Sequence, residues 1–207
     1  MKELRYTLLA DGGSDKVLMS IIDWLLKSRL NNVSYSGYFY APPHKGGLSK
    51  RVNNTLKDFP CDVLFVHRDA EKMEYDFRAQ EIHNELIGIK HQYFVIIPVH
   101  MTEAWLLSNE AAIREAANNP NGKEPLGLPP SNKWDKIPDP KHILFESLKK
   151  ATGLNGRRLD KFPLDSARHR VAQLTSDFSG LNCLPSFQRL CQDIDGFIKT
   201  SPIFHNN

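Results

Sequence analysis

Acidic side chains follow two apolar segments of this chain, at the points where strands are predicted to end. Asp11 and Asp15 come after a short N-terminal apolar run, and Asp69 and Glu71 come after a second run rich in valine and phenylalanine. Because the carboxyl ends of parallel strands meet at one edge of a sheet, where ligands bind, the four carboxylates would gather there. Such a group is costly unless a cation neutralises it, and Mg²⁺ is the usual cation for oxygen ligands. The pattern predicts a metal-dependent enzyme that acts on phosphate.

Each acidic pair also has a purely structural interpretation, which the sequence leaves open. Asp11 and Ser14 suit the start of a helix, where short polar side chains hydrogen-bond the first backbone amides. Asp69 and Glu71 follow Arg68, which would neutralise them in a salt-bridge cluster. The two acidic pairs together favour the catalytic interpretation more than either pair does alone.

Alternating strands and helices must position these acids. Strands are predicted at residues 6–10, 33–40, 62–67 and 93–99, and the segments between them have the apolar spacing of helices. Strands and helices that alternate in this way predict crossover connections. We therefore expect an α/β fold with a mostly parallel sheet and flanking helices.

The chain is expected to divide into three segments. Residues 1–117 are interpreted as the α/β domain, which ends in a helix at residues 102–117. Residues 118–140 form a proline-rich loop, and loops of this length inside a compact chain are often functional. Residues 141–207 are interpreted as a helical C-terminal extension, whose first helix has Pro140 at its start.

Composition restricts the class of protein more than it identifies it. The chain has 207 residues and a formal net charge of +3, so bulk charge does not by itself predict a nucleic-acid partner. Three cysteines without a C-x-x-C pair are typical of a reduced cytoplasmic protein rather than a disulfide scaffold or a zinc site. The N-terminal segment lacks the profile of a secretory signal, and no apolar run reaches the ~20 residues that span a bilayer. We expect a cytoplasmic protein without a membrane partner, and the oligomeric state, including a homodimer, stays open.

The acidic pattern resembles the TOPRIM domain, which is shared by topoisomerases, primases and OLD-family nucleases. In that domain a strand-end acid, with a second acid four residues on, precedes a D-x-D-like element two strands later. This chain has D-G-G-S-D at residues 11–15 and D-A-E at residues 69–71. The runs at residues 67–71 and 98–107 are more closely similar to an uncharacterised bacterial TOPRIM-like family, linked to phage-defence and mobile-element loci and often found beside an ATPase. The similarity covers about the first half of the chain.

The resemblance implies a Rossmann-like TOPRIM sheet of about four strands and a metal-dependent site. Asp11, Asp69 and Glu71, with Asp15, would hold Mg²⁺ or Mn²⁺ for the hydrolysis of DNA or RNA. Asp11 stands where the family usually has Glu, and Glu71 stands where it usually has Asp. Two hypotheses follow, a TOPRIM-type nuclease or a non-catalytic or latent effector subunit that a partner ATPase regulates. The lack of a G-x-x-x-x-G-K-[ST] motif in this sequence is consistent with a separate ATPase.

Other polar residues near the predicted edge have two interpretations each. Glu103 lies just past the last predicted strand and is a further catalytic candidate, or it favours the start of a helix capped by Thr102. His67 is expected to be a buried structural residue, because Mg²⁺ prefers oxygen ligands. His44 and Lys45 suit a phosphate site or a solvated turn.

Basic residues are concentrated in the C-terminal segment. The candidates for nucleic-acid binding are Arg157, Arg158, Lys161, Arg168 and Arg170. Side chains of this kind bind a nucleic-acid backbone in a salt-sensitive way, although they equally suit a solvated helix face. One of these cations could instead reach the acidic site and stabilise charge in a transition state.

Overall fold

A four-stranded, fully parallel sheet forms the centre of the molecule. The computed structural model describes residues 3–30, 33–43, 46–70 and 73–205. The sheet has the order β2-β1-β3-β4, and its strands are β1 (Glu3–Leu9), β2 (Ser34–Tyr40), β3 (Val63–His67) and β4 (Tyr93–Ile96). The predicted α/β class and the predicted number of strands are confirmed.

Helices flank the sheet and make up most of the second half of the chain. The α-helices are α1 (Leu18–Arg29), α2 (Leu48–Asp58), α3 (Tyr75–Glu85), α4 (Glu103–Leu106), α5 (Glu110–Ala116), α6 (Pro140–Thr152), α7 (Arg157–Asp160), α8 (Leu164–Leu174), α9 (Pro185–Thr200) and α10 (Pro202–His205). Within the described residues, 3₁₀ helices lie at Gly13–Val17, Ser131–Lys136 and Ser179–Cys183. Among the helices that the described residues form, none has the length and apolar character that crossing a bilayer requires.

The two faces of the sheet bury different sets of side chains, because successive residues of a strand point to opposite faces. Leu8 and Phe65 pack with α1 in one apolar cluster, whereas Leu9 and Val66 pack with α2 and α3 in another. The chain leaves β1 for β2 on one side and returns to β3 on the other side. The carboxyl ends of β1 and β3 therefore form a topological switch point, which is where open α/β sheets bind ligands.

The C-terminal helices share a hydrophobic core with the α/β segment. Trp105 is fully buried, and its ring meets Phe187 of α9 edge to face with centroids 5.4 Å apart. Phe197 of α9 packs in the same way on Phe94 of β4, at 5.6 Å. Helix α8 packs on α5 and on the 3₁₀ helix that follows β1. The helical segment thus completes the side of the sheet that α1 covers.

Three local predictions need correction. The helix expected at residues 102–117 is two helices, because Asn109 interrupts it and starts α5 by accepting a hydrogen bond from the Ala112 amide at 3.0 Å. Thr102 precedes α4, but its side chain makes no capping hydrogen bond. The loop at residues 118–140 contains a 3₁₀ helix, within which Trp134 is buried and donates to the Pro129 carbonyl at 2.9 Å.

The pairing of Gly37 with Tyr6 offers a test of this packing. Gly37 lies opposite Tyr6 in the β1–β2 register, and a Cβ atom at Gly37 would overlap the Tyr6 ring. Since Tyr6 is buried and donates a 2.6 Å hydrogen bond to Asp23, the ring has little room to move. Gly37→Ala is expected to lower the free energy of unfolding by about 2 kcal/mol, as overpacking does.

Urea unfolding at equilibrium measures this change. Gly196→Ala is the matched control, because a Cβ at this exposed site in α9 meets nothing within 4 Å. A helical glycine replaced by alanine should leave stability unchanged or raise it by up to ~1 kcal/mol. Equal effects of the two substitutions would contradict the close packing of Tyr6 on Gly37.

Candidate functional site

The acids singled out from the sequence lie around the switch point. Asp11 follows β1 by two residues, Asp69 follows β3 by two residues, and Glu103 is the first residue of α4. Asp15 lies in the 3₁₀ helix after β1. The negative charges of Asp15, Glu103 and Asp11 all disfavour ionisation of Asp69, so the four carboxyl groups share one electrostatic environment. Glu71 lies outside the described residues, as do His44 and Lys45.

A buried histidine joins two of these acids. His67 is 1% exposed, and its Nδ1 lies 3.0 Å from the Ile96 carbonyl oxygen. Because a carbonyl oxygen can only accept, Nδ1 carries a hydrogen and Nε2 faces the acids. Nε2 lies 3.7 Å from Asp15 Oδ2 and 3.7 Å from Asp69 Oδ1. His67 is buried as expected, and its orientation also makes it part of the acidic site.

The backbone turn after β1 holds Asp15 in place. The Gly12 amide donates to Asp15 Oδ2 at 2.9 Å, and the Ser14 hydroxyl donates to Asp15 Oδ1 at 3.2 Å. Gly12, rather than Ser14, is the residue that precedes the 3₁₀ helix, and the Asp15 carboxylate reaches back to its amide. These two hydrogen bonds hold the Asp15 carboxyl group beside His67.

Asp69 is the carboxyl group with the least compensation. Its Oδ1 atom is buried and has no hydrogen-bond partner in the described structure. Burial, more than any other cause, raises the pKa of Asp69 to about 7, with smaller contributions from the negative charges of Asp15, Glu103 and Asp11. His67 acts in the opposite direction. Near neutral pH this carboxyl group needs a proton or a cation.

Asp11 faces cations on the side of the sheet that α2 covers. Arg51 of α2 donates from Nη1 to Asp11 Oδ1 at 2.8 Å and from Nη2 to the Ala10 carbonyl at 2.8 Å. Arg68 Nε lies 3.7 Å from Asp11 Oδ2, and Arg68 Nη1 donates to Glu85 at 3.2 Å. Asp11 is therefore engaged by two guanidinium groups, whereas Asp15 and Asp69 share His67.

Arg51 was not singled out from the sequence, although the sequence holds a signal for it. The buried face of α2 consists of Leu48, Arg51, Val52 and Thr55, so Arg51 stands within a stripe with helical spacing that faces the sheet. An arginine in such a stripe needs a buried partner, since an unpaired charge is costly away from water. The signal predicts an acid nearby, but it does not identify Asp11 among the candidates.

Glu103 forms a buried ion pair with Arg168 of α8. Arg168 Nη1 lies 2.7 Å from Glu103 Oε1, and the side chains are 5% and 9% exposed. The prediction that Arg168 contacts a nucleic-acid backbone does not fit this position, because a buried and paired guanidinium cannot reach an external phosphate. The alternative, in which a C-terminal cation reaches the acidic site, describes Arg168 in the structure. Arg170, two residues further along α8, donates a hydrogen bond to the Asn118 side chain at 2.7 Å.

The remaining basic candidates lie on the surface. Arg157 and Arg158 are exposed in the short helix α7, and Lys161 is exposed just after it. Their positions are compatible with contact to a polyanion and equally with simple hydration.

The acidic edge fits a divalent cation in part. Its donors are oxygens, which Mg²⁺ and Mn²⁺ prefer, and the buried Oδ1 of Asp69 has no hydrogen-bond partner in the part of the chain that the structure describes. Asp11 is already paired with arginine. Among the residues that the structure describes, no three His, Cys, Asp or Glu side chains are gathered closely enough to hold a metal ion. The described part of the site would therefore need Glu71 or a local movement to complete a ligand set.

Comparisons of the chain with protein-family models, with curated proteins and with solved structures gave no match. The site is therefore interpreted from its own geometry.

The raised pKa of Asp69 predicts a pH-dependent effect on stability. A carboxyl group whose pKa rises from 3.8 to about 7 on folding stabilises the fold below the unfolded value. That contribution is lost as the pH rises through 7. Asp69→Asn cannot ionise, so at pH 8 the variant should be more stable than the wild type. Because the Asp69 side chain is 32% exposed, we expect the free energy of unfolding to increase by about 1–2 kcal/mol at pH 8, which is less than the full pKa shift would give.

Urea unfolding at pH 4.5 and pH 8, with a chelator present, measures this difference. The advantage of Asp69→Asn should appear at pH 8 and shrink towards pH 4.5. Asp58→Asn, at an exposed position at the end of α2, provides the control and should show no such trend. An advantage of Asp69→Asn that is independent of pH would refute the assignment.

The Glu103–Arg168 pair can be tested by a double-mutant cycle. Glu103→Ala leaves the Arg168 charge buried without its main partner, so a loss of about 3–5 kcal/mol is expected. The double variant Glu103→Ala/Arg168→Met removes both charges and should recover a large part of that loss. Thermal and urea unfolding supply the four free energies. Additive effects of the single substitutions would show that the two groups do not interact.

Proposed function

We propose that the chain is a Mg²⁺- or Mn²⁺-dependent nuclease that hydrolyses phosphodiesters at the switch point between β1 and β3. The main support is Asp69, whose buried Oδ1 has no hydrogen-bond partner among the described residues and whose pKa is raised to about 7, chiefly by burial. Perturbed carboxyl groups of this kind are concentrated at functional sites. The resemblance of residues 11–15 and 69–71 to the TOPRIM pattern supports a nucleic-acid substrate and a role in phage or mobile-element defence. The proposal includes a cytoplasmic location.

Asp69 and Asp15 are the described residues that would hold the cation, with Glu71 and Asp11 as the remaining candidates from the sequence. When bound, such an ion orients a phosphodiester, activates a water molecule and stabilises the leaving oxygen. His67 keeps its Nε2 directed between Asp15 and Asp69 because the Ile96 carbonyl holds its other nitrogen. This hydrogen bond limits rotation of the ring, so Nε2 stays close to both carboxyl groups.

Cations of the chain itself can receive the phosphate. Arg68 is 26% exposed and lies beside Asp11, and its interaction with Glu85 is at the protein surface. Such a guanidinium can exchange a carboxylate for a phosphate, since both bind it in the same bidentate manner. Arg157, Arg158 and Lys161 are exposed and are proposed to contact more distant parts of the backbone.

A second candidate function is a latent effector subunit that a partner ATPase activates. The observation that favours it is the pairing of two candidate catalytic acids with arginines, Asp11 with Arg51 and Glu103 with Arg168. An acid held by a guanidinium is a poor ligand for a metal ion until the pair separates. Binding of a partner could supply the free energy for that separation.

The nuclease proposal predicts that Asp69→Asn abolishes metal-dependent cleavage. Plasmid DNA, single-stranded DNA and tRNA would be incubated with the purified chain in Mg²⁺, Mn²⁺ or chelator, and the products separated on gels. Wild-type cleavage should require the metal, and the variant should lose at least ~100-fold in rate, because its amide cannot supply the carboxylate charge. Asp58→Asn should cleave at the wild-type rate.

The outcomes separate the two proposals. Cleavage by Asp69→Asn at the wild-type rate would remove Asp69 from the mechanism. A wild-type chain that is inert in every metal, but cleaves after addition of an ATPase encoded beside it, would support the latent effector. Inertness under both conditions would refute hydrolysis as the function.

A further inference from the structure

A groove lies between the start of α1 and helix α8, on the side of the sheet where the C-terminal segment packs. Its volume is about 540 Å³, which is within the range of small-molecule sites. The polar part of its lining consists of Gly13, Lys16, Ser20, Asp23, His169 and Gln173. We call it the α1–α8 groove. The α/β segment and the C-terminal helices both line the groove, so it forms only when the two pack together.

One end of the groove adjoins the acidic site. Lys16 follows Asp15 in the chain, and His169 follows Arg168, whose guanidinium pairs with Glu103. The positive charges of Arg168 and Lys16 contribute, after burial, to the lowered pKa of His169, so these three groups lie close together. This end presents the exposed ammonium of Lys16 and the imidazole of His169 next to the proposed reaction centre.

The other end offers hydrogen-bonding groups instead of positive charge. Asp23 is half-buried there and accepts a hydrogen bond from the Tyr6 hydroxyl at 2.6 Å, which holds its carboxyl group in place. Ser20 and Asp23 lie one turn apart on α1, and Lys16 lies in the 3₁₀ helix that leads into α1. At roughly 1.5–2.0 Å per residue, about 10–14 Å along the helix axis separates Lys16 from Asp23. The amide of Gln173 on α8 lines the same groove.

We propose that the α1–α8 groove binds one nucleotide of the substrate strand, with its phosphate at Lys16 and His169 and its base at Asp23 and Gln173. Phosphate suits the end that presents the Lys16 ammonium and an imidazole N–H of His169, and a base edge carries the amide and amino groups that a carboxyl and a carboxamide recognise. The apolar walls of Val17 and Met19 suit the face of a base. This inference rests on the proposed nuclease function. It specifies the substrate as a strand in which the nucleotide beside the reaction centre leaves the duplex stack.

Methyl NMR on the full chain tests the groove directly. The chain has four methionines, and Met19 lines the groove while Met73 and Met101 lie outside it. With ¹³C-methyl methionine and a chelator present, 5′-nucleoside monophosphates should shift the Met19 signal at lower concentration than ribose 5-phosphate or inorganic phosphate does. Chelation removes the divalent cation, so the result does not depend on the metal site.

Matched variants assign the binding to named residues. Lys16→Gln should weaken nucleotide binding about 10-fold, because one charged hydrogen bond is lost. Gln173→Ala should weaken the binding of nucleotides several-fold and leave the binding of inorganic phosphate unchanged. Lys27→Gln, which removes an exposed charge from the last turn of α1, should leave binding unchanged.

Three results would overturn the inference: an unmoved Met19 signal, equal affinity for inorganic phosphate and nucleotides, or equal effects of Lys16→Gln and Lys27→Gln. If the chain cleaves nucleic acid but does not bind nucleotides, the groove proposal is refuted and the nuclease proposal stands. If the chain binds nucleotides but never cleaves, the groove is a nucleotide site and the nuclease proposal is refuted.

Discussion

The burial of several carboxyl groups at one edge of the sheet is the constraint on which the rest of the site depends. Asp69 loses hydration there, and the negative charges of Asp15, Glu103 and Asp11 make its ionisation more costly. The neighbouring structure compensates three of them: arginines pair with Asp11 and Glu103, and local donors hold Asp15. Asp69 is compensated least, since its Oδ1 is buried without a hydrogen-bond partner in the described structure. This burial raises the pKa of Asp69 to about 7.

The topology explains why the acids meet and also why they separate into two groups. The reversal of direction at β1 brings the ends of β1 and β3 side by side. Asp11 then faces Arg51 from α2, which covers one side of the sheet, whereas Asp69 shares His67 with Asp15 near α8. Under the proposed function, a metal ion would be held chiefly by the second group. Arg68, which is partly exposed beside the first group, would then receive the substrate phosphate, whereas Arg51 stays buried and paired with Asp11.

The C-terminal segment is part of the site as well as of the core. Arg168 supplies the counter-ion of Glu103, and its neighbour His169 lines the groove beside Lys16. A basic residue of α8 thus acts inside the protein, while Arg157 and Arg158 remain on the surface. The distinction follows from helical periodicity, because α8 turns Ala167, Arg168 and Val171 towards the core. Charge density along the sequence does not reveal it.

The sequence by itself determined the α/β class, the four strands and the positions of acids at strand ends, because local apolar periodicity and composition specify those features. It did not indicate the break between α4 and α5, since the capping hydrogen bond of Asn109 depends on one local geometry. Only the tertiary structure decided which charges pair: Arg51 with Asp11, Arg168 with Glu103, and His67 between two acids. These partners are 40 and 65 residues apart for the two arginine pairs. Their encounter depends on strand order and helix packing, which no local pattern encodes.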